Sequence, residues 1–124
     1  MSVNSHSNNA GVGLLVIRSD DMDRLAAFYR ALGLSFVKHS HPPCGEHYST
    51  VDGACVFEIC QRRHDQPATT NVFFGLNVSS VDDAVEAGIS HGGNLIRPPE
   101  DTEWGRTAVI RDLDGHRVML TEPR

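Results

Sequence analysis

The chain has 124 residues, 40% of them hydrophobic and 22% charged, with 11 Lys and Arg against 16 Asp and Glu and a formal charge of −5. That length accommodates one small domain with a single core, and the composition argues against extended disorder. The acidic balance argues against a surface that reads nucleic-acid phosphates and mildly favours neutral or cationic ligands, and no apolar run reaches the roughly 18 residues of a membrane span.

Residues 1–10 are rich in Ser, Asn and His, with neither a positive start nor an apolar stretch, and read as a flexible tail instead of a signal peptide. Residues 12–18 are apolar and branched, which predicts a strand. Ser19 and Asp20 then offer N-caps, with Asp23 placed to return the capping bond. Met22, Leu25, Ala26, Tyr29 and Leu32 recur at helical spacing up to Gly33. Residues 34–38 read as a strand, 39–45 as a Pro-containing loop and 47–51 as a strand. Asp52-Gly53 reads as a hairpin turn and 54–60 as a further strand. Residues 62–70, with Arg62, Arg63 and Pro67, read as an exposed linker whose Arg pair is solvated.

The pattern then restarts. Residues 72–78 predict a strand, Ser80 and Asp83 a capping pair, and Val81, Ala84, Val85 and Ile89 the stripe of a helix closed by Gly92 or Gly93. Leu95-Ile96 is a short strand before Pro98-Pro99, residues 107–111 form another, Asp114-Gly115 a turn, and residues 117–122 a last strand. Met22, Asp23 and Gly33 correspond to Val81, Asp82 and Gly92 at a constant offset of 59 (81−22, 82−23, 92−33). Such self-similarity predicts two βαβββ modules, 11–61 and 71–124, joined by the linker.

Alternation along the strands divides their faces. Leu15 and Ile17 oppose Leu14, Val16 and Arg18; Phe57 and Ile59 oppose Val56, Glu58 and Cys60; Phe74 and Leu76 oppose Phe73 and Gly75; Val118 and Leu120 oppose Met119 and Thr121. Helices pack on the more apolar face. The expectation is therefore an α+β domain with a curved mixed sheet, helices on its outer face, and a cleft lined by Leu14, Glu58, Phe73 and Met119. Such a cleft is largely apolar with few polar groups, as small-molecule sites are.

The segments VIRSDDMDRLAAFYRALGL (16–34), VFEI (56–59), LNVSSVDDAV (76–85) and WGRTAVIRDLDGHRVMLTE (104–122) resemble the glyoxalase, bleomycin-resistance and extradiol-dioxygenase superfamily, the vicinal oxygen chelate fold. The Phe28-Tyr29 pair before Ala31-Leu32-Gly33 and the Asp112-x-Asp114-Gly115 turn are its most specific pieces. The resemblance implies a homodimer and a cleft shared between modules. It also implies metal ligands, His or Glu, on the first, fourth, fifth and eighth strands. Matched residue by residue, those positions hold Leu14, Glu58, Phe73 and Met119. Only Glu58 among them ligates a hard cation, so neither metal nor cofactor is expected.

Glu58 is the candidate catalytic or cation-binding group, because a carboxylate on a half-buried strand face is costly unless paired. Arg18, Arg106 or His47 could pair with it. His47 shares its strand face with Ser49 and Val51 and could reach the same cleft. Trp104 could stack on a planar ligand and Arg106 could hold an anion. His39, His41, Cys44 and His47 lack the spacing of a structural zinc site and read as a solvated loop. Cys60 reads as an inert thiol, and the three cysteines, Cys44, Cys55 and Cys60, fit a reduced cytoplasm. The residues point first to a metal-free cleft that binds a small hydrophobic or cationic molecule. They leave open an enzyme of the same superfamily, a lyase, isomerase or dioxygenase with a metal relocated near His47 and Glu58 or with Glu58 as base, and a structural dimer whose cleft is self-filled.

Overall fold

A computed structural model describes residues 9–41, 45–51 and 53–124. The expected tail, apart from residues 9 and 10, lies outside the described residues, as do Cys44 and Asp52. The first module runs β1 (Leu14–Ser19), α1 (Met22–Ala31), β2 (Phe36–His41), β3 (Gly45–Thr50) and β4 (Val56–Gln61). The second runs β5 (Phe73–Asn77), α2 (Val81–Ser90), β6 (Asn94–Thr102), β7 (Gly105–Arg111) and β8 (Arg117–Pro123). Each module folds its strands into a four-stranded mixed sheet, ordered β1-β4-β3-β2 and β5-β8-β7-β6, with the first strand parallel to the last. The α+β architecture and the βαβββ repeat are as the sequence predicts.

Local chemistry shifts some boundaries. Asp21, not Ser19 or Asp20, caps α1 by accepting from Arg24 N at 3.1 Å. Asp23 instead accepts from the Tyr48 hydroxyl at 2.5 Å. Of the predicted loop at 39–45, the described residues 39–41 and 45 are strand, because His39 pairs with His47 and Ser40 with Glu46 between β2 and β3. β6 extends through Pro98 and Pro99 as an edge strand, with register shifts at Leu95/Arg97 and at Arg97/Glu100, the second of which passes over the two residues lacking an N–H. Ser80 caps α2 as expected, accepting from Asp83 N at 3.2 Å. Gly33 and Gly92, the repeat's matched helix-end glycines, take φ of 114° and 99°.

Both helices and the inward faces of both sheets form one core. Tyr29 packs edge-on against Phe57 at 5.2 Å and tilted against Phe74 at 6.0 Å, and Phe57 meets Phe74 at 5.2 Å. Burial of each such ring contributes roughly 1.5–3 kcal/mol. α2 approaches closely because Gly88 lacks a side chain: a Cβ there would lie 2.8 Å from Ile110 Cδ1 and 3.6 Å from Phe28 Cζ. With the helix sides turned inward on a shared core, the other face of each sheet is open. No helix among the described residues is long and apolar enough to cross a membrane.

Candidate functional site

Strand register assembles the site. On the open face of the first sheet, Val16 stands beside Glu58 and Arg18 beside Cys60 across the parallel β1–β4 pair. Ser49 stands beside Glu58, and His47 beside Cys60, across β3–β4. Together they bound a cavity of about 320 Å³ lined by Leu14, Val16, Arg18, Glu58, Cys60 and Gln61, with Arg63 and Gln66 from the linker. Leu14 is 55% exposed, so the apolar floor opens to solvent.

Glu58 is held from one side. Ser49 Oγ donates to Glu58 Oε2 at 2.9 Å, and His47 Nε2 lies 3.9 Å from the same oxygen. His47 is itself buried, with Nδ1 3.2 Å from the Gly45 carbonyl oxygen and its ring 5.5 Å from that of His39. Gln61, at the cavity edge, is occupied structurally: it accepts from Met22 N at 3.1 Å and donates to the Asp20 carbonyl at 2.6 Å, joining β4 to the start of α1.

The linker is largely exposed, as predicted, but it is tied to the first sheet. Arg62 N donates to the Ser19 carbonyl at 2.8 Å and Thr69 N to the Arg18 carbonyl at 3.0 Å, so the segment folds back along the end of β1. This brings Arg63 and Gln66 to the cavity wall. Main-chain bonds set that path, and they leave no signature in side-chain pattern. Ser49 and Arg18 were legible as neighbours by strand alternation alone, since period-2 spacing puts them on the face of Glu58.

The remaining expected residues lie elsewhere. Phe73 and Met119 occupy the open face of the second sheet, where Phe73 is 51% exposed beneath the Arg117 guanidinium at 4.7 Å and Met119 stands beside Gly75. The structure does not bring either into the cavity of Glu58. Trp104, in the turn between β6 and β7, is 72% exposed. Arg106 points to the helix side with Ala108 and Ile110, because it is even-numbered on β7. There its guanidinium binds Asp82 Oδ2 at 3.1 Å and Asp101 Oδ1 at 3.0 Å. It is thus not available to Glu58 as a partner in this chain. A second hollow of about 270 Å³ at the module seam is lined by Leu15, Phe57, Phe74 and Leu76 with Val12 and Cys55, and has no charged group to orient a ligand.

The positions that the resemblance assigns to metal ligands offer one carboxylate, Glu58, and three side chains without an oxygen or nitrogen donor. Among the described residues no group of three or more His, Cys, Asp or Glu is placed to hold a metal ion. His41 and Cys44 of the sequence cluster fall outside the described side chains. This donor set does not fit the metal of the vicinal oxygen chelate enzymes.

The comparisons agree with the fold. An uncharacterized protein of Mycolicibacterium smegmatis is 28% identical over 112 residues, covering 90% of this chain and 93% of its own. Among solved structures, TnmS3, an antibiotic binding protein from Streptomyces, superposes with a TM-score of 0.73 at 20% identity, covering 96% of this chain and all (100%) of that one. TioX from Micromonospora superposes with a TM-score of 0.66 at 24% identity, covering 93% of this chain and 100% of that one. The family model described as the Glyoxalase/Bleomycin resistance protein/Dioxygenase superfamily matches residues 11–120, and the chain belongs to that superfamily.

Proposed function

We propose that the protein binds a small, largely apolar molecule on the open face of its first sheet, without a metal ion at the superfamily's usual ligand positions. One observation carries this reading: a half-buried carboxylate, Glu58, held by Ser49 at 2.9 Å, faces an open cavity of about 320 Å³ with an apolar floor of Leu14 and Val16. A carboxylate so placed loses hydration and regains it from a bound donor. The antibiotic binding activity named for TnmS3 supports the same class of role, on a fold shared at low identity.

The cavity wall is one-sided, since module two contributes no residue to it. Pairing two copies, the first sheet of one against the second sheet of the other, would cover it with the exposed Phe73 and with Met119. A homodimer with two composite clefts is therefore part of the proposal.

Thermal-shift titration with a panel of neutral, cationic and anionic aromatic compounds tests it, because a ligand of the folded state raises Tm by mass action. At least one compound class is expected to stabilise the protein, with the shift lost in Leu14→Arg and reduced in Glu58→Gln. A panel that leaves Tm unmoved would overturn the reading, and sedimentation showing a monomer at the same concentrations would remove the composite cleft.

A further inference from the structure

The cavity is not acidic, although the chain is. Against the single carboxylate of Glu58 it carries the guanidinium groups of Arg18 and Arg63. Arg63 lies 3.7 Å from Asp65. Arg18 is different: its backbone N–H is bound by Thr69 Oγ1 at 2.9 Å, and among the described residues its guanidinium has no ion pair or hydrogen bond. Other arginines near chain carboxylates are engaged, Arg62 with Asp20 and Arg106 with Asp82 and Asp101.

Register explains why Arg18 and Glu58 stay apart. Glu58 is level with Val16, and Arg18 is two residues further along β1, a separation of roughly 6.6 Å at strand rise. Glu58 is thus level with Val16 on the apolar floor, and Arg18 follows at one end of it, beside Cys60. Glu58 uses Oε2 for Ser49, and Oε1 has no partner among the described residues.

We propose that Arg18 receives the acidic group of an amphoteric ligand whose other end donates a hydrogen bond to Glu58. The ligand class is a flat, mainly apolar molecule with a carboxylate or similar anion at one end and an amine or hydroxyl at the other. The guanidinium fork matches such an anion in a two-point contact, and the free carboxylate oxygen accepts the donor. This rests on the binding reading above and reverses the preference for cationic ligands that net charge alone suggests.

The test uses 6-amino-2-naphthoate, its methyl ester and 2-naphthoate, titrated by fluorescence into the full-length protein and into Arg18→Gln and Glu58→Gln. The wild type is expected to bind the aminonaphthoate roughly tenfold more tightly than either analogue. Arg18→Gln should lose roughly that factor for the acid and none for the ester. Binding should also shift the Arg18 Nε–H resonance together with the Leu14 and Val16 methyls. Equal affinity for acid and ester, or an unchanged Arg18→Gln, overturns the role of Arg18 while leaving the binding reading intact. Absence of binding of all three to a folded wild type overturns both. A thermal melt of Arg18→Gln matching the wild type confirms that the variant is folded, as expected for an exposed side chain.

Discussion

The Tyr29 hydroxyl donates to Asp112 Oδ2 at 2.5 Å, a bond that ties the helix of the first module to the β7–β8 turn of the second. The same carboxylate accepts from Asp114 N and His116 N through Oδ1, each at 2.9 Å. One buried side chain thus closes the Asp112–Gly115 turn and locks the modules together. Tyr29→Phe should lower stability by roughly 1–3 kcal/mol, because it leaves a buried carboxylate oxygen without its donor. Chemical denaturation at neutral pH measures this, and a loss of only a few tenths would show the bond to be incidental.

The same pair predicts an alkaline limb. Burial, and after it the charge on Asp112, holds the Tyr29 phenol far above the usual tyrosine range. Above the unfolded value of about 10, the unfolded chain has lost this proton and the native chain has not. Fewer protons bound in the unfolded state means that stability falls as pH rises, by about 1.4 kcal/mol per pH unit for one group. Tyr48 is also raised, first by its bond to Asp23, and adds to the decline. Subtracting the curve of Tyr29→Phe isolates the contribution of Tyr29. Parallel curves for the two proteins between pH 9 and 11 would contradict the assignment.

Gly105 is the glycine whose replacement should cost most. Its φ is 129°, and an added Cβ would collide with the Glu122 carbonyl oxygen on β8. Gly105→Ala is expected to cost about 3 kcal/mol or more, through backbone movement at the end of the β7–β8 ladder. Gly33 also has positive φ, 114°, but a Cβ there meets nothing within 4 Å. Gly33→Ala should therefore cost only about 1–2 kcal/mol. Comparing Tm for the two variants checks the ranking.

Much of this fold is legible because two periodicities repeat. The period of 3.6 marked both helices, and the offset of 59 residues aligned Gly33 with Gly92 at equivalent helix ends. Period 2 correctly separated Leu14, Val16, Glu58, Phe73 and Met119 from the core-facing Ile17, Phe57, Phe74, Val118 and Leu120. The same rule could have turned Arg106 away from the cleft, since Ala108 and Ile110 share its parity and belong to the core. Its chemistry as an anion binder obscured its position. The linker was beyond reach: Arg63 and Gln66 reach the cavity through main-chain bonds at Ser19 and Arg18, and composition carries no record of those. How the modules pack was equally silent, because a shared core and a shared cleft require the same apolar and mixed faces.

Ser49 provides a test of whether Glu58 is positioned for binding or merely accommodated. Ser49→Ala removes the hydroxyl that donates to Oε2, leaving His47 Nε2 at 3.9 Å as the nearby polar group. A half-buried carboxylate that loses one donor costs roughly 1–2 kcal/mol. If Glu58 is a ligand-contact group, a compound identified by thermal shift should bind Ser49→Ala more weakly while Ser49→Thr, which keeps the hydroxyl, restores it. Unchanged affinity in both variants would assign the Ser49–Glu58 bond to stability alone.

Arg106 lies apart from the first-sheet cavity, within the second module. Its guanidinium donates to both carboxylate oxygens of Asp82 in the first turn of α2 and to Asp101, while Glu122 accepts from Val81 N at 3.0 Å beside it. These bonds fasten the start of α2 to the β7–β8 edge. The two aspartates raise the guanidinium's affinity for its proton, with Asp82 the larger influence, but the groups are exposed and screened by solvent. Arg106→Gln should therefore lower Tm slightly, more at low ionic strength than at high, and leave ligand affinity at the first-sheet cavity unchanged. Arg18→Gln should do the reverse, weakening an acidic ligand without moving Tm. If Arg106→Gln instead weakens that ligand as strongly as Arg18→Gln, the binding site extends to the helix side of the second sheet and the first-sheet cavity cannot be its whole extent.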